Sequence, residues 1–328
     1  MFITDLSEAE LIARIQARLP PPPEWLIVGI GDDAAVVEPE RNRLEVLTVD
    51  ALVEGVHFDR RCTPPDAIGH RALAVNLSDL AAMGAQPRLA LLSLALPGDL
   101  PCADFDAMIG GLAALAAAHR LHVVGGNLTR SPGPLVLDVT VTGSVKRRQI
   151  LKRQGARPGD AVYVTGTIGA AAAGLHMLKS ATSSVVSSCV QRYLYPEPRV
   201  RTGLLLARNR AATACVDLSD GLADGVHLIA AASGVGIAID AEALPIDAEA
   251  RRWFEAHGGD AVNRAITGGD DYELVFTCQP GRARRLKAAL AHGRAPITKI
   301  GVCTEGGDVT IRSGASETPM PRGYRHFR

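Results

Sequence analysis

The sequence predicts an α+β protein built as two domains. Short apolar stretches with strand patterning interleave with Ala/Leu-rich stretches at helical spacing along the whole chain. The 328 residues exceed the usual length of one domain. A basic run, KRRQILKRQGARPGD at 146–160, interrupts the pattern midway and contains Pro158 and Gly159. The boundary is placed there, giving domains of residues 1–147 and 148–328.

The elements follow in order. Ser7 with Glu10 makes a capping box ahead of Leu11, Ile12, Ile15 and Leu19 at helical spacing, and Pro20–Pro23 must stop that helix. WLIVGIG (25–31) and LEVLTVD (44–50) read as strands. Pro64 and Pro65 open a helix that runs to Met83, with Gly84 as its C-terminal cap, and a second Ala/Leu-rich helix covers 104–120. In LVLDVTVTGSV (135–145), Leu135, Leu137, Val139, Val141 and Val145 share one face and Asp138, Thr140, Thr142 and Ser144 the other. That is the pattern of a half-buried, antiparallel strand. The second half offers the strand AVYVTG, a helix over 169–180, strands at 214–217, 235–240, 272–277 and 297–302, and helices over 220–232 and 282–292.

Composition removes several classes of function. Hydrophobic residues make up 47% and aromatic residues 4%, so a core can form but base-stacking platforms are not expected. Lys+Arg and Asp+Glu both number 35, which argues against nucleic-acid or membrane partners held by charge. No apolar stretch has the roughly 18 residues that a membrane helix needs. The six cysteines form no CxxC pair and read as reduced thiols; with Asp5, Glu8 and Glu10 near the N-terminus, the expectation is a cytoplasmic protein.

The informative feature is where the aspartates fall. Asp32 and Asp33 follow WLIVGIG, Asp50 ends LEVLTVD, Asp217 and Asp220 lie in VDLSDG, and Asp270 and Asp271 follow a Gly-Gly pair. Asp79 sits near the C-terminal end of a helix, where the macrodipole disfavours an acid, among apolar neighbours and one turn from Asn76. Carboxylates at the rim of a core need a counter-charge, and an oxygen-only set suits Mg²⁺, Mn²⁺ or Ca²⁺. The alternative is that each is a turn former or helix cap.

Gly29–Gly31, Gly125-Gly126 and Gly268-Gly269 are expected as turns whose N–H groups approach a ligand, and Ser219 as the cap of a helix starting at Asp220. There is no GxxxxGK[ST] motif, no kinase HRD–DFG pair and no defensible Ser-His-Asp arrangement. Acids, a cation and backbone donors without a nucleophile–base pair point to phosphoryl transfer, in which the protein positions the reactants and neutralises charge.

Taken together, GIGDDAAVV, TVDALVEGVHF, ALAVNLSDLAAMGAQP, VVGGN, RQGARPGDAVYVTGTIG, VDLSDGL, GGDDYELVFT and GYRHF resemble, in order, the motifs of the thiamine-monophosphate kinase family, from residue 27 to residue 327. The resemblance implies an aminoimidazole ribonucleotide synthetase-like fold. Its N-terminal domain would form a β-barrel across a homodimer, and its C-terminal α/β domain would complete the site. It implies conversion of ATP and thiamine monophosphate to ADP and thiamine diphosphate with several Mg²⁺ ions. Asp33, Thr48, Val49 (by its carbonyl), Asp50, Asp79, Asn127, Asp217 and Asp220 are then the metal ligands. Gly126, Asn127, Arg153 and Ser219 contact ATP, while His57, Asp270 and Tyr324 hold thiamine monophosphate.

Two positions depart from many members: Asn127 replaces an acid, and Asp270 replaces a longer one. The rival readings are another ATP-using enzyme of the superfamily, or a nucleotide-binding member without turnover. A selenophosphate synthetase would need an N-terminal reactive cysteine, and the first here is Cys62. The hydrogenase maturation relative ends in a cysteine, where this chain ends GYRHFR.

Overall fold

A computed structural model describes residues 1–180, 187–293 and 295–323. The chain forms two compact units. One comprises Met1–Leu77 and Gln86–Lys146, the other Ser78–Ala85 and Arg147–Arg328. Among the described residues, no helix is long and apolar enough to cross a membrane.

The first unit opens with α1 (Glu8–Gln16), capped as its sequence predicts: Glu10 N donates to Ser7 Oγ, and Ser7 N to Glu10 Oε2 at 2.7 Å. The short β1 (Leu26–Val28) and β2 (Val36–Val37) pair with each other. Then come β3 (Leu44–Val53), α2 (Pro65–Ala82), β4 (Gln86–Pro97), α3 (Cys102–Ala118), β5 (His122–Ser131) and β6 (Val136–Val145). The long strands form a sheet in the order β3-β6-β4-β5, with β6 antiparallel to both neighbours. Leu137, Val139 and Val141 of β6 are fully buried, as the alternation requires.

The opposite face carries Leu47, Val49 and Leu91, which are 68%, 59% and 39% exposed. The sheet is open, with β3 and β5 at its edges, so the described residues of one chain close no barrel. The expected barrel is thus not a property of the single chain. Helices α2 and α3 touch backbone to backbone: a Cβ on Gly69 would lie 1.8 Å from Met108 O, and one on Gly111 2.0 Å from Asp66 O.

In the second unit, the end of α2 is closed by Gly84 in the left-handed region (φ 65°), with Ala85 N donating to Leu80 O at 2.8 Å. The elements after it are β7 (Ala161–Thr165), α4 (Ala170–Lys179), α5 (Ser188–Leu194), α6 (Val200–Asn209), β8 (Ala214–Asp217), α7 (Leu222–Ser233) and β9 (Gly236–Asp240). They continue with α8 (Ala248–Ala256), α9 (Ala261–Thr267), β10 (Leu274–Cys278), α10 (Ala283–Leu290), β11 (Ile297–Thr304), β12 (Val309–Ser313) and β13 (Ser316–Pro319). The sheet runs β13-β12-β9-β11-β7-β10-β8 and is antiparallel except for the β12–β9 pair. Leu222, Val226 and Ile229 of α7 join Val216, Ile237 and Val275 of the strands in one buried core.

Two local expectations are corrected. Helix α7 begins at Leu222 with Gly221 (φ 94°) before it and no side-chain cap, so Ser219 is an exposed loop residue. The loop keeps its own hydrogen bonds to residues 270–273 instead of entering the helix. Gly125-Gly126 is no turn: both lie inside β5, opposite Leu91 and Leu92 of the parallel β4. A Cβ on Gly126 would stand 1.9 Å from Leu92 O, so close strand approach is what demands glycine there.

Candidate active site

In the first unit, the edge strand β3 carries three of the expected residues. Strand alternation turns Val49 to the open face beside Leu47, and Thr48 and Asp50 to the other face, where both are half-buried. Asp50 lies in register with buried Val139, next to Leu92 and Gly126 in the same row of the sheet. Just past β3 a tight turn places His57, whose Nδ1 accepts from Val53 N at 3.0 Å. In the neutral ring that acceptor role puts the proton on Nε2. Asp33 is exposed, after Gly31 (φ 117°), with its N–H donating to Asp32 Oδ1. Asn127 is exposed on β5, paired with Ser93.

The second unit brings further expected residues together. Asp217, at the C-terminal end of β8, is 6% exposed and accepts from Ser78 Oγ at 2.7 Å. Burial, followed by the charge of Asp79, pushes its carboxyl up to about 7; the Ser78 hydrogen bond and Arg153 oppose the rise. Asp79 and Arg153 are therefore both electrostatic neighbours of Asp217. Asp217 is a buried acid with a second acid beside it, an environment that favours a cation. Among the described residues, however, no three His, Cys, Asp or Glu side chains converge with metal-binding spacing.

The loop after β8 carries exposed Ser219 and half-buried Asp220, and it is hydrogen-bonded to the loop of Asp270: Asp270 N donates to Ser219 O at 2.8 Å. Tyr324 lies outside the described residues. Its neighbour Gly323 sits against the Asp220 backbone, where a Cβ would be 2.3 Å from Asp220 O.

Several residues of this region have no role assigned to them from sequence. Asp271 is buried and caps the start of α4, accepting from Gly169 N at 2.7 Å and Ala171 N at 3.2 Å. Fully buried Glu273 takes Arg199 as a two-pronged partner, at 2.6 Å from Nε and 2.5 Å from a terminal nitrogen. It also accepts from Arg192 at 2.6 Å and from Thr165 Oγ1 at 2.5 Å. Both acids sit in the quoted GGDDYEL motif. Their partners lie some 70 to 110 residues away, beyond the reach of any local pattern.

Burial pushes the Asp271 carboxyl up to about 7, against the pull of the two N–H groups. The folded state then holds a proton between about pH 4 and pH 7 that the unfolded chain has released, so stability should fall as pH rises across that window. Urea unfolding across this window should show the decline, and Asp271→Asn should make it shallower, leaving the part that Asp217 contributes. An equally steep fall in the variant would remove the assignment.

Two family models cover the chain in succession. Residues 31–145 match the family model of the AIR synthase related protein, N-terminal domain, and residues 157–314 that of the C-terminal domain. The thiamine-monophosphate kinase of Escherichia coli K12 is 39% identical over 327 residues, 98% of each chain. The crystal structure of thiamine-monophosphate kinase from Stenotrophomonas maltophilia superposes with a TM-score of 0.84 at 41% identity, covering 95% of this chain and 98% of that one. AaThiL, solved in complex with AMPPCP and TMP, gives a TM-score of 0.77 at 33% identity over 100% of this chain and 99% of its own.

Proposed function

The chain belongs to the thiamine-monophosphate kinase family of AIR synthase related proteins, and from that premise we infer that it transfers the terminal phosphoryl group of ATP to thiamine monophosphate, yielding ADP and thiamine diphosphate. The observation that carries this reading is relatedness along nearly the whole chain to thiamine-monophosphate kinases, together with a related structure that holds an ATP analogue and TMP. The site chemistry agrees with it. The acceptor is a phosphate oxygen that is already anionic, so no general base is needed, and the absence of an apparent nucleophile–base pair is consistent with direct transfer.

The main obstacle is bringing two anions within bonding reach. For this we assign Arg153, Ser219, Gly126 and Asn127 to ATP, and His57, Asp270 and Tyr324 to thiamine monophosphate. The Nε2–H of His57 can donate to a phosphate oxygen, and the Arg153 guanidinium offsets phosphate charge. Within the first unit the assigned donors Asp33, Thr48, the Val49 carbonyl, Asp50 and Asn127 are all oxygen, and so within the second are Asp79, Asp217 and Asp220, which fits Mg²⁺. So does the raised pKa of Asp217, which burial and the charge of Asp79 push up by more than the Ser78 hydrogen bond and Arg153 offset. When bound there, Mg²⁺ would supply charge neutralisation on the transferring phosphates.

We also propose that the open β3-β6-β4-β5 face, with exposed Leu47, Val49 and Leu91, pairs with a second copy of the chain to close a barrel, and that the enzyme works in the cytoplasm. Sedimentation equilibrium at micromolar concentration tests the pairing; a monomer would end it. The activity is tested by a coupled assay for ADP in ATP, Mg²⁺ and thiamine monophosphate. ADP release that depends on thiamine monophosphate is expected, and none above background would favour a binding protein.

A further inference from the structure

The antiparallel pairing of β8 with β10 runs from Thr277↔Ala214 to Leu274↔Asp217 and does not stop where the strands end. Leu218 N donates to Glu273 O at 2.8 Å, Tyr272 N to Leu218 O at 3.1 Å and Asp270 N to Ser219 O at 2.8 Å. The segment from Asp217 to Ser219 is thus hydrogen-bonded to the segment with Asp270.

Within this continuation the backbone is strained. Asp270 and Tyr272 both lie in the left-handed region, at φ 68° and 49°. For an aspartate that is uncommon; for an aromatic residue it is an outlier, and such residues persist only where their surroundings hold them. The anchors alternate with the strained residues. Asp271 is held by the N–H groups of Gly169 and Ala171, and Glu273 by Arg199 and Arg192. In this frame the ring of Tyr272 is buried and its hydroxyl donates to Asp270 Oδ1 at 3.0 Å.

We propose that Tyr272 is a positioning residue for thiamine monophosphate: through this hydrogen bond it fixes the plane of the Asp270 carboxylate toward the cationic thiamine part of the substrate. The inference rests on the assignment of Asp270 to that substrate. A carboxylate already held in its binding orientation loses less freedom when the ligand arrives. Asp270 carries its carboxylate on a single methylene, so its reach depends on the backbone that presents it. The strained loop and the tyrosine hydroxyl together supply that orientation.

The test is a double-mutant cycle of Tyr272→Phe and Asp270→Ala, with steady-state kinetics in both substrates and a melting curve for each variant. Tyr272→Phe should raise KM for thiamine monophosphate roughly five- to twentyfold, with kcat and KM for ATP within about twofold of wild type. In the Asp270→Ala background, which breaks the same hydrogen bond from its other end, Tyr272→Phe should change KM no further. A merely structural role would shift kcat, both KM values and the melting temperature together, and would overturn the proposal. So would independent, additive effects of the two substitutions, or an unchanged KM in Tyr272→Phe where Asp270→Ala raises it. If Asp270→Ala itself leaves KM for thiamine monophosphate unchanged, the assignment of Asp270 fails first and this inference with it.

Discussion

Replacing Asp217 with asparagine is expected to lower kcat at least about a thousandfold while making the metal-free protein more stable at pH 8. The two effects share one cause. Asp217 sits 6% exposed beside Asp79, and burial and that neighbour push its carboxyl up to about 7. The folded state therefore favours the protonated group, and stability is lost as pH rises from about 4 through 7. The amide mimics the neutral form and keeps an oxygen for Ser78, so at pH 8 the variant should gain roughly 2–4 kcal/mol over the metal-free wild type. What it gives up is the charge that would bind Mg²⁺ and through it the phosphates, an electrostatic contribution of several kcal/mol to the transition state. Melting curves in EDTA at pH 5 and pH 8, beside the ADP assay, check both halves. A variant that is destabilised at pH 8, or that keeps near-normal turnover, would remove Asp217 from the site.

Arg199→Ala is expected to be the most destabilising single change near the site, costing about 3–5 kcal/mol. Arg199 is 8% exposed and Glu273 fully buried, and the guanidinium meets both carboxylate oxygens. Removing it leaves a desolvated carboxylate with Arg192 and Thr165 for compensation. Arg199→Lys keeps the charge but not the fork, and should fall between the alanine variant and wild type. Because Glu273 anchors the Asp270 loop, KM for thiamine monophosphate should also rise. Urea unfolding measures the cost; a loss below about 1 kcal/mol would show that the pair does not hold the loop.

These anchors also mark where sequence reading stops. The capping box at Ser7–Glu10, the cap at Gly84 and the alternation of β6 are local signals, and each appears where its residues predict it. Strand β4 was not anticipated. Its run RLALLSLALP hides its alternation because apolar Leu91 stands on the exposed side with Ser93 and a register shift falls between Ala90 and Leu91. Ser219, a serine before Asp-Gly, has the local appearance of a helix cap. A non-local zipper to residues 270–273 decided otherwise. The candidate site divides in the same way. Its aspartates were legible because strand ends and Gly turns deliver them, whereas Ser78, Asp271, Tyr272 and the Arg199–Glu273 pair gain meaning only once the chain has folded.

The central claim is that carboxylates hold divalent cations so that two phosphates can react. It is tested most directly by turnover of Asp50→Ala in ATP, Mg²⁺ and thiamine monophosphate, with circular dichroism to confirm folding. Asp50 is half-buried on an edge strand, so its removal should leave the sheet intact. A folded variant without detectable ADP release is the predicted result. Near-normal activity in that folded variant would contradict the account.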